Sequence, residues 1–271
     1  MIAWVFPGQG HERPGDGRAW LDHSGVRARL QELSEPAGLD LVQALERGGR
    51  AWSRTEGLQP LLVGLALAVA ERLPGPPQIV AGHSLGELCA WSATGAIDTH
   101  ATVALARARG LAMAAAARER PGGMCVLEGR LPRGLDLAVD NPGQRIASGP
   151  LDRLVGRRIP TLGPWHSRAM ASARPDFARA LARLRPRPGR GLFLTNGDGQ
   201  PQPAHQDLRP LLLAQLTQPV RWTRCLDSLR RLRPTEVWIL PPGRLLAQQL
   251  QARGVPARVL ETPYDLEDLC D

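Results

Sequence analysis

The 271 residues bound the chain to one large domain or two modest ones, and 43% hydrophobic residues supply a sizeable core. A formal net charge of +8 rests on 34 basic residues, all arginine, and with only 4% aromatics interleaved among them a strand-binding nucleic-acid protein is argued against, leaving an acidic protein or substrate as the partner. The four cysteines, Cys89, Cys125, Cys225 and Cys270, form no C-x-x-C pair and have no histidines at zinc-ligand spacing, so no metal site and a reduced, cytoplasmic setting are expected.

The chain opens on an apolar run over residues 2–6 with no basic leader, which reads as a first strand and not a signal peptide. It runs into Pro7-Gly8-Gln9-Gly10. Ligands bind at the C-terminal ends of parallel strands, so Gln9 either aims its amide into a site or lies in a surface turn. Residues 11–22 read as polar loop with a little helix. Apolar spacing predicts helices over 24–33 and 39–45, a connection over 47–56, and a buried helix over 58–73 stopped by Pro74-Gly75-Pro76-Pro77. Its apolar run, Leu61 to Ala70, is about half of the ~20 residues a bilayer span needs, so no membrane segment is expected.

Residues 78–81 form a buried strand that meets Gly82-His83-Ser84-Leu85-Gly86-Glu87. This is G-x-S-x-G, a tight strand-to-helix turn that pushes a serine out at the end of a sheet. The following helix, over 85–94, points its free N–H groups at the same spot, so Ser84 is the candidate nucleophile. Asp98 caps an Ala-rich helix over 99–118 that carries Arg107 and Arg109. The two lie ~200° apart on the helical wheel. Both have apolar neighbours, and a buried one needs a partner; periodicity does not choose between them.

Pro121-Gly122-Gly123 marks a hinge. Beyond it, strand-like runs over 124–128, 135–139, 145–148 and 158–162 and a helical piece over 151–155 read as a small α+β insert. The division is a large unit of 1–122 and 167–271 and a small one of 123–166. His166, in Gly163-Pro164-Trp165-His166-Ser167 just past a strand and a Gly-Pro turn, is the candidate base. Helices over 176–184, 208–216, 225–232 and 244–251, strands over 192–196, 236–240 and 259–260, and a loose acidic tail complete the chain.

Taken in order, Phe6 to Gly10, Gln59-Pro60, Gly82 to Glu87, Arg109-Gly110, Asn141 to Gln144, Gly163 to Ser167, Gln215-Leu216, Pro219 to Trp222 and Pro242-Gly243 resemble one family. It is that of the malonyl-CoA:acyl-carrier-protein transacylases and the acyltransferase domains of polyketide and fatty-acid synthases. The match runs from residue 2 to about residue 250 and implies an α/β fold. Its parts are a hydrolase-like parallel sheet with helices on both faces and an abridged ferredoxin-like insert. Residues 23–38 and 240–244 also resemble the transacylase subunit of malonate decarboxylase, which likewise moves malonyl from coenzyme A to a carrier.

The resemblance implies roles. Ser84 carries the acyl group and His166 is its base, oriented by a backbone carbonyl with Pro219 to Trp222 as the expected source. Backbone N–H groups of Gln9 and Leu85 form the oxyanion hole. Arg109, and not Arg107, clamps the malonyl carboxylate. His83 and Asn141 line the site. Malonyl-CoA and an acyl carrier protein are the partners, the phosphopantetheine belongs to the carrier, and no bound cofactor is implied. Two departures stand out: Gly10 is followed by His11-Glu12 where the family often has Ser-Gln, and the insert is shortened around 130–134 and 151–155. Thioester hydrolysis and a non-catalytic binding module are the other readings; Arg109 argues against the first and Ser84 with His166 against the second.

Overall fold

The computed structural model describes residues 1–269, so Cys270 lies outside the described residues. Its strands are β1 (Ile2–Phe6), β2 (Ile79–Gly82), β3 (Gly123–Leu127), β4 (Asp136–Asn141), β5 (Gln144–Gly149), β6 (Arg158–Ile159), β7 (Leu192–Leu194), β8 (Pro201–Pro203), β9 (Glu236–Ile239) and β10 (Arg258–Val259). They form two sheets. The larger has the order β10-β9-β1-β2-β7-β8 and is parallel except where β8 runs back along β7.

β1 sits in the middle: Val5 lies between Ala81 of β2 and Ile239 of β9. Both faces of β1 are covered, which is why it is apolar without alternation. The helices Thr55–Ala70 and Thr99–Glu119 pack against each other, and the first is buried over nearly its whole length. Among the described residues no helix is long and apolar enough to cross a membrane.

The second sheet is antiparallel with the order β4-β5-β3-β6. That is the strand order of a split β-α-β-β-α-β unit, yet neither crossover holds an α-helix. Residues 128–135 are turns, and the second crossover is one 3-10 turn, Leu151–Arg153. One face of this sheet, with Met124, Val139 and Ile146, joins the main core, while Cys125, Leu127, Leu135 and Ala147 form a small core of their own. The sheet is tied to the rest through Val220, which bridges to Val139: Asp140 N–H donates to Val220 O at 2.8 Å and Val220 N–H to Ala138 O at 2.9 Å.

Several elements differ from the sequence expectation. Residues 47–56 are not only a connection: Arg50–Ser53 is a helical turn and the buried helix begins at Thr55, where Thr-Glu-Gly carries no apolar signal. The fourth insert strand stops at Ile159 because Pro160 has no N–H to give. β8, with two prolines, reads as loop in sequence but is tolerated as an edge strand. The acidic tail contains a helical turn, Tyr264–Glu267, whose Asp265 accepts from the N–H groups of Glu261 and Thr262 in the chain leading into it.

Candidate active site

β1 and β2 end side by side, with Phe6 opposite Gly82. The chain leaves β2 through Ser84, which is held at φ 51°, and enters the helix Gly86–Ala93. A Cβ on Gly82 would overlap the Gly86 carbonyl, and one on Gly86 would overlap the Phe6 carbonyl. The two glycines of G-x-S-x-G are therefore what lets the turn sit between the strands. A side chain from β7's end clamps it. Asn196 Oδ1 accepts from Ser84 N–H at 2.7 Å and Asn196 Nδ2 donates to Gly82 O at 2.7 Å.

Ser84 Oγ lies 2.7 Å from His166 Nε2, and both residues are buried. His166 also has positive φ, 55°. Its Nδ1–H donates to the backbone carbonyl of Gln215 at 2.9 Å. That bond fixes the tautomer and leaves Nε2 bare toward the serine. The carbonyl is not from Pro219 to Trp222, as the resemblance led us to expect. Gln215 ends the helix Arg209–Gln215, where carbonyls have no intrahelical donor and are free to accept. The later segment is committed elsewhere: Val220 pairs with the small sheet and Arg221 N–H donates to Asn196 O at 2.9 Å.

Arg109 and Arg107, which helical periodicity leaves tied and the resemblance separates in favour of Arg109, part in space. Arg107 is exposed and lies over Gly38. Arg109 is 2% exposed. Its guanidinium donates to Gln59 Oε1 at 2.9 Å, to Gln215 Oε1 at 2.8 Å and to Ser84 Oγ at 3.4 Å. Glu87 lies one side chain away, joined to it through Gln215. Glu87 accepts from Gln215 Nε2 and from Asn196 N–H. Burial pushes Arg109 down to about 10 and Glu87 up to about 8, and each opposes the other's shift. Burial, with Arg109 adding to it, lowers His166 to about 4. His166 is thus neutral at pH 7 and able to take a proton.

Gln9 is not a surface-turn residue: it lines the cleft, and its Oε1 accepts from Thr55 Oγ1 at 2.8 Å. Among the described residues neither the Gln9 nor the Leu85 backbone N–H finds a protein acceptor. His83 Nε2–H donates to Asn141 Oδ1 at 3.0 Å, and its ring meets His11 and Trp222 edge-on at 4.6 and 5.3 Å. Gln9, His11, His83, Ser84, Arg109, Asn141 and His166 border one cleft of about 710 Å³ between the two sheets, within the size of small-molecule sites.

Glu87, Asn196 and Gln215 were not singled out in the sequence as functional. Glu87 was visible as a charge in an otherwise apolar elbow helix, three residues after the serine. Asn196 is visible as an amide at the last position of an expected strand, at the ligand-binding edge of the sheet. Gln215 stands in the sequence only as part of the Gln215-Leu216 motif, with no role attached, because its role depends on where its helix ends.

A nucleophile elbow on a parallel sheet, a bare imidazole on its serine and a buried guanidinium beside both define an acyl-transferring class of site. The model of the acyl transferase domain matches residues 3–158, and the chain belongs to that family. The malonyl CoA-acyl carrier protein transacylase of Mycobacterium tuberculosis H37Rv is 33% identical over 302 residues, covering 100% of both chains. That of Synechocystis is 30% identical, covering 98% of each. The crystal structure of MCAT from Mycobacterium tuberculosis superposes with a TM-score of 0.84 over 100% of both chains at 31% identity.

Proposed function

We propose that the chain moves a malonyl group from malonyl-CoA to the phosphopantetheine thiol of an acyl carrier protein through a malonyl ester on Ser84. His166 Nε2 takes the Ser84 proton as Oγ attacks the thioester carbonyl. The N–H groups of Leu85 and Gln9 hold the oxygen that becomes negative. The C–S bond breaks, and the leaving coenzyme A thiolate receives the proton from His166. The carrier thiol then runs the same steps in reverse, giving its proton to His166 as its sulfur attacks the ester, and Ser84 recovers its proton as it leaves. His83 and Asn141, joined to each other, shape the cleft wall.

The observation that carries this reading is a buried guanidinium within 3.4 Å of the nucleophile. An acyl group with a free carboxylate just beyond its carbonyl brings that carboxylate to Arg109, which has N–H groups left after Gln59 and Gln215 are served. The Mycobacterium tuberculosis and Synechocystis relatives, whose names specify malonyl-CoA and a carrier, support the same substrate pair.

The test is intact mass after incubation with malonyl-CoA, with and without a holo carrier protein. A malonyl adduct that is absent in Ser84→Ala and passes to the carrier is the expected result. Free malonate released at the same rate without carrier makes the protein a hydrolase instead, and no adduct sinks both.

A further inference from the structure

The shortened insert leaves an unusual surface at the mouth of the cleft. Eight large apolar side chains are exposed among the described residues, and three of them, Leu151, Val155 and Leu162, fall in one stretch of the insert. Val155 and Leu162 are 67% and 65% exposed. The physical reason is local: the crossover before β6 is a single 3-10 turn, Leu151–Arg153, too short to cover the apolar residues around it. The same stretch carries Arg153, Arg157 and Arg158, all exposed. Arg153 has only a 3.7 Å contact with its neighbour Asp152, and among the described residues Arg157 and Arg158 have no carboxylate partner.

This stretch is continuous with the site. Arg157, Pro160 and Thr161 line the cleft that leads to Ser84, facing Leu245 and Gln248 of the helix Arg244–Gln251 across it. We infer that residues 151–162 are the docking surface for the acyl acceptor, an acidic protein that delivers its thiol on a long flexible arm. The inference rests on the proposed acyl transfer for the identity of that partner. Exposed aliphatic side chains interleaved with exposed arginines along one stretch are the composition of a protein interface. Unpaired arginines steer an acidic partner toward the surface. A partner seated here is at the lip of the cleft and sends its arm straight in. Single-stranded nucleic acid fits less well, because the exposed apolar groups are aliphatic and offer no stacking platform.

Two variants outside the cleft lining test this: Arg153→Glu/Arg158→Glu and Val155→Ser/Leu162→Ser. Binding of a holo acyl carrier protein is measured by calorimetry on each and on the unmodified protein, at low and at moderate salt. Malonyl transfer to free pantetheine is measured alongside. The expected result is carrier affinity weakened about tenfold or more in both variants, with the salt dependence lost in the first and pantetheine transfer unchanged. Unaltered carrier affinity overturns the docking surface. So does a parallel loss of pantetheine transfer, which means the loop shapes the cleft, or binding of an RNA oligonucleotide that outcompetes the carrier. Failure of the unmodified protein to form malonyl-Ser84 refutes the proposed reaction separately, because carrier binding is read without turnover.

Discussion

Asn196→Ala removes the clamp on the nucleophile elbow without touching any atom that meets substrate. Asn196 is fully buried and serves two backbone groups, the Ser84 N–H and the Gly82 carbonyl, each at 2.7 Å. Leaving a buried donor or acceptor unpaired costs about 1–3 kcal/mol, so the pair costs about 2–6 kcal/mol of stability. Ser84 is also held at φ 51°, a conformation that costs about 1–3 kcal/mol in a residue other than glycine. With the clamp gone, that strain drives the serine toward a relaxed conformation and away from His166. A displacement of about 1 Å lowers the rate roughly a hundredfold. Urea unfolding reads the first effect and the rate of malonyl-Ser84 formation reads the second. Stability and rate that both stay near those of the unmodified protein refute the clamp. A loss of stability with an unchanged rate leaves the hydrogen bonds standing but refutes their role in placing Ser84.

Arg109→Ala is expected to lower kcat/KM for malonyl-CoA by about 2–5 kcal/mol, at least roughly thirtyfold, and to affect acetyl-CoA far less; equal losses on both remove its proposed contact with the carboxylate. Stability is expected to depend on pH through His166, and the sign follows from its folded value. Because burial lowers it to about 4, the folded state binds its proton less readily than the unfolded chain. The contribution is complete above about 6.5 and is lost as pH falls from there toward 4, by about 3 kcal/mol in all. His11, also lowered to about 4 by burial, acts in the same direction and over the same window. Unfolding at pH 7, 5 and 4 should show a shallower acid loss in His166→Gln than in the unmodified protein; parallel curves refute it.

What the amino-acid sequence determined by itself is local. The buried strand, the two glycines flanking Ser84 and the helix after them follow from steric demands within six residues, and Gly82 and Gly86 meet those demands in the structure as the motif requires. The Gly-Pro turn before His166 is equally legible. Helix positions were legible wherever an apolar period was long, and illegible where prolines sat on an edge strand or polar residues began a buried helix.

Helical periodicity did not choose between Arg107 and Arg109, because both have apolar neighbours along the helix; the resemblance pointed to Arg109, and only the tertiary structure supplied the physical reason, the face that meets Gln59 and Gln215. It also put Gln215 in place of the segment expected to supply the accepting carbonyl, since an accepting carbonyl depends on where a helix stops and not on its residue type. Asn196 and Glu87 reach Ser84 and Gln215 across more than 100 residues of chain, separations at which no periodicity or motif operates. Close packing at the ends of β1, β2 and β7 converts those distant side chains into one hydrogen-bonded site. The reason is the cost of burying polar groups: Glu87 and Arg109 are tolerated inside only because Gln215 and Asn196, brought in by the fold, satisfy the groups around them.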